Sequence, residues 1–208
     1  MSSAPLLLAL LFLALRAGNG AAWDIGNRVV IEPGPLVLDH SKSVAEITQA
    51  QAKGGLPAGH GLGLFQNRMK SELAYVGTDA AAKRLTMTTR IVTAPIIYIA
   101  REFPEDSCAY GVILGHERQH LLFDREVLRA MPDEVRAITR TVYSADALDW
   151  TRKLDLDRLR ARFFRQYRYV YEGLSWPRHQ SIDNPAAYRQ LSTLCHGEFA
   201  RRLAGIEP

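Results

Sequence analysis

The sequence predicts an α+β fold: a small, mostly antiparallel sheet followed by a helical C-terminal half. Three observations carry this. Runs rich in Thr, Ile, Val and Tyr fall in the first half, at residues 64–77 and 84–102. From about residue 108 onward, apolar residues recur at helical spacing between capping and stop signals. The order is strands first and helices after, which is the α+β order.

The chain opens with an apolar run, PLLLALLFLAL at residues 5–15, followed by Arg16 and the small-residue stretch AGNGAA. That layout predicts a secretory signal peptide over residues 1–22, although no Lys or Arg precedes the run. About 11 apolar residues are too few to span ~30 Å of hydrocarbon. Residues 23–208 then form one domain, with no further run long enough to cross a membrane. The expected location is exported, periplasmic or secreted. Cys108 and Cys195 are the only cysteines. In an oxidising compartment they read as one disulfide, with two free buried thiols as the alternative. The bridge would close a long loop and add roughly 4 kcal/mol in the chain-entropy model.

Along the mature chain, NRVVIEPGPLVLDH (27–40) reads as a short strand and turn. SKSVAEITQAQAK (41–53) starts on capping serines and stops at Gly54-Gly55, which predicts a helix followed by a loop. In RLTMTTRIVTAPIIYIAREF, Pro95 breaks the pattern into two strands or marks an edge. Asp106 and Ser107 are N-cap candidates for a helix from about 108 to 130. Pro132, with Asp133 and Glu134, opens a short second helix. A longer helix over 145–172 ends at Gly173 and Pro177, and a last one starts near Asn184-Pro185.

Net charge is +4, and the excess concentrates in RKLDLDRLRARFFRQYR (152–168). Such a stripe can meet a polyanion. It also reads as the solvated face of an amphipathic helix whose apolar side is Leu156, Leu159, Phe163 and Phe164. No nucleic-acid motif accompanies it, and no nucleic-acid partner is expected.

The sharpest motif is HERQH at residues 116–120, inside YGVILGHERQHLLFDREVL. Residues four apart on a helix lie about 40° apart and one turn along, so His116 and His120 can face one ion. Glu117, rotated ~100° from His116, can reach a water on that ion and accept its proton. This is the mechanical sense of H-E-x-x-H, and it makes His116 and His120 zinc ligands and Glu117 a general base. Apolar flanks on both sides argue against a polar patch on an exposed helix.

The stretch resembles the active-site helix of the zincin metallopeptidases. Ile113, Leu114, Gln119, Leu121 and Leu122 fit the extended motif of that superfamily, and Arg118 departs from its usual uncharged position. The resemblance implies a zinc-dependent peptidase acting on a peptide or protein, with the helix packed under a sheet. A catalytic zinc needs a third protein ligand. Glu126 stands ten residues after His116, the spacing of one zincin branch, but Phe123 occupies the position of its turning glycine. On a continuing helix Glu126 would lie ~15 Å along the axis, and Asp124 about 12 Å, both too far. A second branch takes a carboxylate from a later helix. That leaves Glu172, His179 and His196 as further candidates, the latter two near the motif if the disulfide forms. Asp183 reads most simply as a turn or helix-start residue. The rival expectations are a non-catalytic zinc-binding protein with four protein ligands, and a basic surface-binding module.

Overall fold

The computed structural model describes residues 23–204 apart from 54–60, 80, 145–155, 185, 187–188 and 191–192. The expected signal peptide lies outside the described residues, as does part of the expected last helix. The elements are β1 (Asp24–Pro33), β2 (Val37–Asp39), α1 (Val44–Lys53), β3 (Gly63–Asp79), β4 (Arg84–Ile99), α2 (Cys108–Val142), α3 (Leu156–Ile182), a 3-10 turn (Cys195–Gly197) and α4 (Glu198–Leu203).

The sheet corrects the expectation of a mostly antiparallel arrangement. β1 and β2 both pair with β4 in parallel, and only the β3–β4 hairpin is antiparallel. β3 follows β4 along its whole length, so β1 and β2 lie end to end on the other edge. The reason is the connection. α1 carries the chain from β2 to β3 on the far side of β4, where β3 runs opposite to β2, and the β3–β4 hairpin turns the chain back so that β4 runs with β1 and β2. Strand patterning in the sequence records burial, not direction.

Pro95 does not break β4. It falls opposite the gap between β1, which ends at Pro33↔Thr93, and β2, which begins at Val37↔Ile96. No neighbour there needs the missing N–H. β4 alternates buried and open residues, with Leu85, Met87, Thr89, Ile91 and Thr93 beneath the helices.

α1 starts with a capping box. Ser43 Oγ accepts from the Glu46 N–H at 3.2 Å, and the Glu46 carboxylate accepts from the Ser43 N–H at 2.7 Å. α2 does not stop before Pro132 but runs through it to Val142. Val127, Leu128, Met131, Val135, Ile138 and Val142 continue one apolar face across the proline, so burial offsets the lost backbone bond. α3 likewise runs through Gly173 and Pro177 to Ile182. Phe163 is buried as expected, and Leu159 and Phe164 pack beside it.

Two apolar clusters result. One joins β4 and Leu73 to the C-terminal half of α2 and to Phe163 and Tyr167 of α3. The other joins α1, the end of β4, Phe103, the start of α2 and Phe199. Cys108 and Cys195 are disulfide-bonded, with Cα atoms 5.6 Å apart and a sequence separation of 87. The bridge holds α4 against the start of α2. Among the described residues no helix is long and apolar enough to cross a membrane.

Candidate active site

Between the two clusters, the buried face of α2 turns polar. Its inward positions read Ile113, His116, Glu117, His120, Asp124 and Val127, so the four central residues sit where a core stripe would be apolar. All four are buried, with Asp124 only 1% exposed. Burying such groups is costly unless each has a partner. Each has one, and the partners come from β3 and the end of α3.

Asp183 supplies the first. The chain continues one turn past His179, with the Asp183 N–H donating to the His179 carbonyl at 3.0 Å. This places the Asp183 carboxylate 3.1 Å from His116 Nε2 and 3.2 Å from His120 Nε2. One ligand atom from each of His116, His120 and Asp183 lies within 4.8 Å of the other two. Bonds of 2.0–2.2 Å in a tetrahedron separate neighbouring ligands by roughly 3.4 Å. The two imidazole–carboxylate distances are within a few tenths of that, so the donor set fits a zinc ion with a position left open.

His179 stands behind His120 instead of joining the three. Its Nδ1 lies 2.7 Å from His120 Nδ1, so one nitrogen donates to the other, and the rings stack at 4.9 Å. Phe65 of β3 stacks against both rings. This contact holds the His120 ring with Nε2 turned to Asp183.

Glu117 lies under β3. Burial pushes its carboxyl up to about 7, against the pull of His120, His116 and the Phe65 N–H. A Cβ on Gly63 would come within 2.6 Å of Glu117 Oε1, so only glycine leaves the carboxylate its place. Gln51 of α1 fixes that strand start by donating to the Gly63 carbonyl at 2.9 Å. For His116, burial works to lower the pKa, but Asp183 and Glu117 outweigh it and the net shift is upward. Burial lowers that of His179.

Asp124 accepts from Asn67 Nδ2 at 2.6 Å and from the Tyr171 hydroxyl. It ties β3 and α3 to α2 one turn beyond His120. A cleft of about 250 Å³ opens over the group, lined in part by Gly63, Asn67, Glu117, Tyr171, Trp176 and Asp183.

The sequence-derived set divides accordingly. His116, Glu117 and His120 converge. The candidate third ligands Glu126, Glu172 and His196 are exposed and outside the group, and His179 is adjacent to it. The third donor is Asp183, which the sequence reading placed in a turn. The signal that finds it is a helix running on past Pro177, which sets Asp183 one turn beyond His179 and beside the histidines of α2. Gly63, Phe65 and Asn67 carry no motif and could not be found that way. Arg118 is exposed, as its angle on the helix requires. No family model, curated protein or solved structure matches the chain.

Proposed function

We propose that the protein is a zinc-dependent peptidase of zincin type, exported from the cell. The observation that carries this reading is the convergence of His116 Nε2, His120 Nε2 and one Asp183 oxygen beside the buried carboxylate of Glu117. Two imidazoles and one carboxylate are a donor set that catalytic zinc uses, and three protein ligands leave a place for water or substrate. When bound, zinc would supply Lewis acidity, lowering the pKa of a coordinated water toward about 7 and polarising a carbonyl.

The chain's own residues would do the rest. His116, His120 and Asp183 hold the ion, and His179 fixes the ring of His120. Glu117 takes a proton from the attacking water at its carboxylate and passes it to the leaving amine. The Phe65 N–H and the Gly63 backbone keep that carboxylate in place. A peptide is the fitting substrate because β3, an edge strand of the sheet, borders the cleft along Gly63–Asn67 beside Glu117.

The test is the Glu117→Gln variant, assayed against a library of quenched fluorogenic peptides with zinc content measured in parallel. The expected result is zinc retained and hydrolysis lost by at least 10²-fold, the lower range for a general base. Full activity in that variant would contradict the assignment.

A further inference from the structure

We propose that the outer face of α3 is a docking track for acidic polypeptide segments, leading to the cleft at Trp176. The proposal rests on the peptidase reading for the fate of the bound peptide, but not for its binding.

The track is a stripe. Arg158, Arg162, Arg165, Tyr169, Glu172 and Trp176 follow spacings of four and three, which places them within an ~80° sector of the helix. All six are exposed. Tyr169 is 80% exposed and Trp176 47% exposed. Two large aromatics on the same exposed face as the arginines add contact area to charge. Their presence between and beyond the arginines gives a passing chain both charge and apolar contact. The stripe runs ~27 Å from Arg158 to Trp176, and Trp176 also lines the cleft.

Charge decides the occupant. Three arginines against Glu172 alone favour an anionic chain. At the Trp176 end, however, the cleft holds the carboxylates of Glu117, Asp124 and Asp183. Even with a zinc ion offsetting two of those charges, the remaining carboxylate would repel a nucleic acid, which carries a phosphate at every step. A polypeptide carries acid only where its sequence puts it. The fitting ligand has a neutral segment at the cleft and an acidic run further along. From Trp176 to Arg165 and Arg162 is ~16–21 Å, about five or six extended residues.

The experiment is fluorescence anisotropy on full-length Glu117→Gln protein, which prevents turnover during titration. The probes are labelled synthetic peptides with a glutamate run about five residues from a neutral segment, on either its N- or C-terminal side, and their glutamine counterparts. The expected result is roughly tenfold tighter binding of one glutamate peptide at low salt, shrinking at ~0.5 M salt. Arg162→Glu with Arg165→Glu should erase that preference while leaving wild-type cleavage of the neutral peptide unchanged. Equal binding of glutamate and glutamine peptides overturns the proposal. So does a preference that survives the double reversal, or tighter capture of oligothymidylate or phosphatidylglycerol vesicles through the same arginines. Acid-selective binding with no cleavage of any such peptide by the wild type would overturn the peptidase reading and leave the track standing.

Discussion

Glu117 sits where only the absence of a side chain at position 63 allows it to sit. A Cβ there would also press Ile113 at 2.6 Å, so the Gly63→Ala variant must move either the strand or the carboxylate. The expected outcome is a loss of about 1–3 kcal/mol in stability from overpacking, with a fall in kcat larger than any rise in KM. Denaturant melts and steady-state kinetics check both parts. Asp183 is tested by contrast. Asp183→Ala should weaken zinc binding by more than the 10–100-fold typical of an outer-shell loss, whereas Glu126→Gln, Glu172→Gln and His196→Ala should leave it unchanged. Competition titration with a chelating dye reads this directly. The proposed donors on α2 were legible in the sequence because one helix carries both histidines at a spacing that turns them to one side. Asp183 was not, because its place depends on a helix continuing past a proline. Gly63 was not, because its role exists only once β3 lies over α2.

Both long helices override a stop signal, and both do so where their buried face needs to continue. In α2, Pro132 lies between Met131 and Val135, each 0% exposed. Pro132→Ala would restore an N–H toward the Leu128 carbonyl, and we expect it to raise stability by about 1–3 kcal/mol. An unchanged melting temperature would show that the helix already accommodates the ring. In α3, continuation past Pro177 brings His179 and Asp183 to α2, so this breach of the local rule serves the site. The start of α2 is capped by Ser107 and by Glu198, whose carboxylate accepts from the Ala109 N–H at 3.0 Å and pairs with Arg202. Arg202 and the Ala109 N–H hold the Glu198 pKa below the ordinary 4.5. A lowered folded-state value means stability present above pH 4.5 and lost as pH falls through the depressed value. Wild type should therefore exceed Glu198→Gln in stability at pH 7, with the gap closing in acid. Thermal melts from pH 7 to 2 follow this.

The placing of the strands in the first half and the two long helices in the second was legible in the order of patterns along the chain. The direction of the strands was not. β1 alternates in the same way whether it runs with β4 or against it, and the path of the chain through α1 and the β3–β4 hairpin decides. The disulfide was legible from the count of two cysteines and the expectation of export. It closes a loop of 87 residues in sequence separation that contains α2 and α3, and so all three donors of the site. Replacing Cys108 and Cys195 with Ser should cost roughly 4 kcal/mol if the chain-entropy account holds. Chemical denaturation of the double variant measures it. What the two-histidine motif could not supply was the residue that completes it, and everything about the proposed chemistry depends on that residue. X-ray absorption at the zinc edge, taken on zinc-loaded wild type and on Asp183→Ala, addresses it most directly. The expected result is one zinc with two imidazole nitrogens and one carboxylate oxygen at 2.0–2.2 Å plus one exchangeable water oxygen, with the carboxylate contribution missing in the variant. A shell of three imidazoles that includes His179, or four protein ligands with no open position, would contradict the account.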